Sequence, residues 1–274
     1  KYYNFLNKNI KKCIFQNFDK EKIMSNCYSK KNNKELLFFV GDSHAASIIM
    51  LTQKKYDHYD VILAANSGGL FSHFFYKIDG DIINDQSLTI SKKYNNFFLE
   101  SWKLFKELSL NYQKSNLIIS SDYLTHINDN IILDKNYLQL NNKSKILELY
   151  AEELVNLSEN LVDDEEIIFI KNIPQPSFSS FDCLKQVIFQ KKEKSLCNYD
   201  RNFYGPDKTF NTLLTKRKNN LRLYDFGEKF CNINDCRFFN IKNNYNIIIN
   251  DKSHITLQSV ELFEDDFFNF IETN

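Results

Sequence analysis

The residues best suited to chemistry lie at opposite ends of the chain: Ser43 in Gly41-Asp42-Ser43-His44, and the Asp251-Lys252-Ser253-His254 run. A serine hydroxyl is a poor nucleophile without a base, and the base needs a carboxylate to set its tautomer and stabilise the imidazolium. Five histidines are present, at 44, 58, 73, 126 and 254, and only His254 has an aspartate three residues before it. Within one turn, that spacing lets Asp251 reach the Nδ1 side of the His254 ring. Gly-Asp-Ser and Asp-x-x-His are each common alone as turn or cap residues. Their joint placement is more specific, because the first directly follows a buried apolar run and the second directly precedes the last helical pattern.

His44 is expected to pack beside the serine turn. His58, His73 and His126 lack metal-ligand spacing and read as surface or loop histidines, so no metal is expected. No glycine-rich phosphate loop is present, which argues against nucleotide chemistry, and no cofactor is called for.

These residues need a frame, and the apolar runs supply one. Leu36-Leu37-Phe38-Phe39-Val40 is a short continuous apolar run, the mark of a strand buried on both faces, and Ala45 to Leu51 after the serine reads as a helix. Val61 to Ala65, Leu117 to Ile119 and Ile167 to Ile170 repeat the strand pattern, each followed by turn residues. Ile146, Leu147, Tyr150, Leu154, Leu157 and Leu161 recur on one helical face. Strands alternating with helices predict an α/β fold, a three-layer α/β/α arrangement around a central, mostly parallel sheet. Ligands of such sheets bind at the carboxyl ends of the strands, where Ser43 falls. Its backbone N–H, at a helix start, suits a developing oxyanion.

Toward the C-terminus, Leu221 to Phe226 reads as a further strand, Cys231 to Cys236 as a stapled loop and Asn246 to Ile249 as a short extended piece. His254 is expected to open a last helix whose buried face carries Leu257, Val260, Leu262, Phe263, Phe267 and Phe270. No repeat or low-complexity linker divides the chain, so residues 1–274 are expected to form a single domain, with 1–35 a disulfide-bearing N-terminal segment.

The bulk numbers narrow the function class. Of 274 residues, 43% are hydrophobic and 15% aromatic, ample for a packed core. Lys plus Arg and Asp plus Glu both number 35, and no basic run alternates with aromatics, so nucleic acid is not an expected partner. No stretch approaches the roughly 18 consecutive apolar residues of a membrane helix, and the first residues carry no signal-peptide pattern, so the chain reads as a mature or excised piece. Six cysteines fall as three neighbouring pairs, Cys13 with Cys27, Cys183 with Cys197 and Cys231 with Cys236, with no C-x-x-C zinc spacing. Proximity predicts three local disulfides and an oxidising compartment.

With these residues in view, the chain resembles the SGNH (GDSL-like) hydrolase superfamily. Gly41-Asp42-Ser43-His44-Ala45 and Asp251-Lys252-Ser253-His254 look like its first and last sequence blocks. The run G-D-S-H-A-A is more narrowly similar to the SGNH domain fused to acyltransferase-3 membrane proteins, which O-acylate bacterial surface polysaccharides. The landmarks keep their spacing: a cysteine pair before the first strand, Ile173-Pro174 followed by Cys183, and Cys231 with Cys236 before D-x-x-H.

The resemblance implies a flavodoxin-like SGNH fold, with Ser43 as nucleophile, His254 as general base and then acid, and Asp251 as the orienting carboxylate. It implies O-acyl transfer, acetyl in the simplest case, from an acyl donor to a glycan acceptor through an acyl-serine. The alternatives are a carbohydrate O-acetylesterase and a non-catalytic glycan-binding module. It also implies a periplasmic or extracellular location, with a membrane acyltransferase segment ahead of this one tethering it to the inner membrane.

The pattern departs from the superfamily in the middle. Gly68 or Gly69 matches the glycine block, but Ser120-Ser121-Asp122 stands where the superfamily has G-x-N-D, and a carboxylate there would oppose an oxyanion. Ser43, Gly68, Gly69 and Asn66 are the candidate oxyanion donors, with the backbone N–H groups of Ser43 and a glycine the safest.

Overall fold

The computed structural model describes residues 10–52, 56–68, 70, 72, 74–79, 82–176, 178, 180–201, 207–216, 219–239, 248, 254–256 and 260–273. The strands are β1 (Ile14–Phe15), β2 (Tyr28–Ser29), β3 (Glu35–Gly41), β4 (Asp60–Asn66), β5 (Tyr76–Ile78), β6 (Lys114–Ser120), β7 (Ile131–Leu133), β8 (Gln139–Leu140), β9 (Glu165–Ile170), β10 (Tyr199–Asp200), β11 (Leu221–Tyr224) and β12 (Asp235–Cys236). The α-helices are α1 (Lys20–Asn26), α2 (Ser43–Ile48), α3 (Asp85–Ser109), α4 (Tyr123–Asn128), α5 (Lys143–Ser158), α6 (Ser180–Leu184), α7 (Lys208–Lys216) and α8 (Val260–Glu272).

The four apolar runs become β3, β4, β6 and β9, the middle of a seven-stranded sheet of order β1-β4-β3-β6-β9-β11. Every pairing along that path is parallel, and β2 adds an antiparallel pairing to β4. Side chains alternate between the two faces of a strand, so a run apolar at every position needs cover on both. Leu36, Phe38 and Val40 enter a core with Phe97 and Phe105 of α3, Tyr150 and Leu154 of α5 and Leu213 of α7. Leu37 and Phe39 enter the opposite core with Ala45 and Ile48 of α2 and Phe263 and Phe267 of α8. The result is the expected three-layer α/β/α fold.

The chain steps from β3 outward to β4, then crosses back to β6 and continues to β9 and β11. This reversal opens a crevice at the carboxyl ends of β3 and β6. Gly41 pairs with Ser120 on one side and Ala65 on the other. The segments after β3 and β6, beginning at Asp42 and Ser121, therefore leave the sheet at one level, and β4 ends one residue later, at Asn66.

Several elements depart from the sequence expectations. The strand expected over Leu221 to Phe226 stops at Tyr224, because the Asp225 carboxylate accepts from the Gly227 N–H and opens a 3-10 turn over Phe226–Lys229. His254 does not open the last helix. His254 to Thr256 are non-helical, the Thr256 N–H donates to the Ile248 carbonyl at 2.9 Å, and α8 begins at Val260. Phe263 and Phe267 are buried as expected, while Phe268 and Ile271 add to that face. Leu257 and most of the Asn246 to Ile249 piece lie outside the described residues. Helix α3 was not singled out by periodicity: its inner face includes Ser91, Ser101 and Ser109 among Phe97, Phe98, Leu104 and Phe105, which dilutes the apolar stripe.

The three local disulfides are present, Cys13–Cys27, Cys183–Cys197 and Cys231–Cys236, with sequence separations of 14, 14 and 5. Among the described residues no helix is long and apolar enough to cross a membrane.

Gly41 closes β3 with φ +146°, and a Cβ built there would sit 1.8 Å from the Ser120 carbonyl oxygen. Gly68 also has a positive φ, +136°, but an added Cβ meets nothing within 4 Å. Gly41→Ala is therefore expected to destabilise the fold by about 3 kcal/mol or more, and Gly68→Ala by only about 1 kcal/mol. Urea unfolding of both variants measures the contrast, and equal losses would contradict it.

Candidate active site

The turn from β3 into α2 is built by Asp42. Its backbone is extended, its carboxylate caps α2 by accepting from the His44 N–H at 2.7 Å, and the residue is 2% exposed. Ser43 opens the helix and stays half-buried between buried neighbours.

The ring of His254 approaches from the other end of the chain, and its Nε2 lies 2.7 Å from Ser43 Oγ. The loop carrying it is anchored by Ile255, Ile248 and Phe238, all buried, and by backbone bonds from Thr256 to Ile248 and from Ile248 to Phe238. A hydroxyl donating to an imidazole nitrogen at that distance is positioned to transfer its proton to the ring. Asp251, Gly69 and His73 lie outside the described residues.

Asp42 receives three further hydrogen bonds. His44 Nδ1 bonds Oδ1 at 2.9 Å, and the Asp122 N–H and His126 Nε2 bond Oδ2 at 2.8 and 2.9 Å. Burial alone would raise the Asp42 pKa. Electrostatic attraction to His44 and His126 and hydrogen bonds from both rings outweigh it and hold the carboxyl well below its usual range. The His44 ring stacks on His254, centroids 4.4 Å apart and planes 19° from parallel.

His126 is thus not the surface or loop residue expected of it. It sits on α4 with Asp42 on one nitrogen and Lys77 Nζ 3.4 Å from the other. Its signal was beyond sequence reading, because its partner lies 84 residues away and no motif joins them. His58 is exposed, as expected.

Asp122, which stands where the superfamily has G-x-N-D, is held by side-chain amides. Asn172 Nδ2 donates to Oδ1 at 3.0 Å, and Gln175 Nε2 donates to both carboxylate oxygens at 2.8 Å, while its N–H is committed to Asp42. These amides come from the loop after β9, which the Tyr199 hydroxyl braces by donating to the Pro174 carbonyl. Asn66 is buried at the end of β4, one residue beyond the partner of Gly41, and Gly68 follows it. Among the described residues no group of three or more His, Cys, Asp or Glu could hold a metal ion.

The depressed Asp42 pKa has a defined pH signature. Because the folded-state value lies below the unfolded one, ionised Asp42 stabilises the fold above about pH 4, and that contribution is lost as pH falls through the folded value. Asp42→Asn is expected to be less stable than wild type down to about pH 4, with the gap narrowing below it. Thermal unfolding of both proteins from neutral to acid pH checks the sign; a gap that widened toward acid would contradict it.

Comparison with known proteins bears on the fold and the family. The periplasmic domain of a lipopolysaccharide acetyltransferase from Salmonella ser. Paratyphi A superposes with a TM-score of 0.60 at 16% identity, covering 99% of this chain and 97% of that one, and so shares the fold. No curated protein sequence matches the chain. The family described as the SGNH domain fused to AT3 domains matches residues 12–268, nearly the whole length, and the chain belongs to that SGNH family.

Proposed function

We propose that this domain transfers an acyl group, acetyl in the simplest case, to a glycan hydroxyl through an acyl-serine intermediate. The observation that carries this reading is the 2.7 Å contact between His254 Nε2 and Ser43 Oγ, made across 211 residues of sequence. Membership of an SGNH family fused to AT3 domains supports acyl chemistry, and the likeness to a lipopolysaccharide acetyltransferase domain supports the acetyl group and the polysaccharide acceptor. Three disulfides support an extracytoplasmic location, on the periplasmic or outer face.

In this mechanism His254 takes the Ser43 proton as Oγ attacks the acyl carbonyl. The oxyanion of the tetrahedral intermediate is met by the Ser43 N–H, with the Asn66 side chain and the glycine N–H groups at 68 and 69 as further donors. The intermediate collapses, the acyl–donor bond breaks, and His254 returns its proton to the leaving oxygen. A glycan hydroxyl then gives its proton to His254 as its oxygen attacks the acyl-serine carbonyl; the acyl–Oγ bond of that second tetrahedral intermediate breaks, and His254 returns the proton to Ser43 Oγ. Asp251 is assigned to the Nδ1 side of His254, where a carboxylate fixes the tautomer and stabilises the imidazolium. Hydrolysis shares every step except the last nucleophile, so resolving acylated sugar from free acid after incubation with an acetyl donor and a glycan acceptor separates transferase from esterase.

Ser43→Ala and His254→Ala are each expected to abolish turnover of an acetyl ester and labelling by an organophosphonate, and each should cost about as much as both together. Asp251→Asn is expected to lower activity by up to about four orders of magnitude. Circular dichroism controls for folding. Wild-type turnover by a folded Ser43→Ala protein would remove the nucleophile assignment, whereas absence of both turnover and organophosphonate labelling in the wild-type domain would leave a glycan-binding module as the better reading.

A further inference from the structure

We propose that His126 and His44 are positioning residues for the Ser43–His254 pair, coupled to each other through the Asp42 carboxylate. This rests on the reading of Ser43 and His254 as nucleophile and base. The proton positions follow from donor chemistry. An ammonium group only donates, so Lys77 Nζ at 3.4 Å makes His126 Nδ1 an acceptor and places the ring proton on Nε2, which donates to Asp42 Oδ2 at 2.9 Å. Lys77 is held in turn: it is 5% exposed, paired with Asp79 at 2.7 Å and bonded to the Gly68 carbonyl.

The remaining bonds carry this order toward the crevice. Asp42 Oδ2 is filled by His126 and the Asp122 N–H, and Oδ1 by the His44 N–H and His44 Nδ1, so the carboxylate accepts four hydrogen bonds and has no slack to rotate. His44 therefore carries a proton on Nδ1, and its ring is fixed in plane. Capping α2 needs only the bond from the His44 N–H; the ring bond and the His126 bond add nothing to the cap.

What they do is set a flat surface 4.4 Å from the His254 ring. That surface limits rotation of His254 away from Ser43. An imidazole whose Nδ1–H is bound by a carboxylate is also electron-rich, and its face favours the positive charge that His254 gains when it takes the serine proton. The His126 side chain bonds Asp42 and Lys77, not Ser43 or His254, so it acts through the carboxylate.

The test is steady-state hydrolysis of a chromogenic aryl acetate by the intact domain, with circular dichroism and thermal unfolding as fold controls. His126→Leu is expected to lower kcat about 10- to 100-fold with KM nearly unchanged, because the base is displaced while substrate contacts remain. His126→Gln, whose amide offers a donor to Asp42 and an acceptor to Lys77, should recover kcat to within about fivefold of wild type. His44→Phe keeps a flat ring over His254 but loses the Asp42 bond, and should be slowed like His126→Leu. Combining the two should slow the enzyme no further than the worse single variant, since both act along one path.

Wild-type kcat in folded His126→Leu, equal loss in His126→Gln, or multiplied losses in the double variant would each overturn the proposal. If His126→Leu does not fold, recovery in His126→Gln together with loss in His44→Phe supports it, and the opposite pattern overturns it. Ser43→Ala keeps the two readings apart. Should it retain turnover, the nucleophile assignment fails whatever His126 does; should it be inactive while His126→Leu is fully active, only the positioning proposal fails.

Discussion

Asp42 is a charged residue only 2% exposed to solvent, and such a group persists only where protein donors replace water. Its four donors come from three places: α2 supplies the His44 N–H and ring, the turn after β6 supplies the Asp122 N–H, and α4 supplies His126. The spacing between β3 and β6, the direction of α2 and the entry of α4 must all satisfy one carboxylate. The antiparallel sheet of β5, β7 and β8 joins the same constraint, because Lys77 on β5 bonds His126. Removing any one donor leaves a buried oxygen short of a partner, so these elements are fitted to one another and not merely adjacent.

The backbone has a matching constraint one residue earlier. Gly41 runs so close to the Ser120 carbonyl that no side chain fits, which lets the chain turn sharply at the last rung of the sheet. Asp42 is then buried, and Ser43 is half-buried within reach of His254. The loop after β9 completes the wall: its Asn172 and Gln175 amides hold the Asp122 carboxylate, which turns the residue in place of the superfamily's asparagine block into part of the scaffold.

The central strands were legible because each is apolar at successive positions, a pattern that only two-sided burial explains, as Leu36 to Val40 show. Ser43 and His254 were legible because glycine, aspartate and serine follow such a run and few histidines compete. The cysteine pairs were legible from proximity. His126 was not, since a lone histidine carries no periodic or motif signal and its meaning arises only where α4 meets the β3 turn. Helix α3 was masked by serines on its inner face, where small side chains allow close packing without hydrophobicity. The non-helical path of His254 depends on a tertiary bond from Thr256 to Ile248, and no local propensity encodes it.

The separation of Ser43 from His254 by 211 residues has a consequence for biosynthesis. The front of the chain can form β3, β4 and α2 and expose the serine turn long before the histidine has left the ribosome. Contacts of such long range close late, after the intervening loops have lost their freedom. On the proposed reading, an incomplete or stalled chain therefore carries a serine without its base, and reactivity at Ser43 becomes a report that translation and folding have both reached their end.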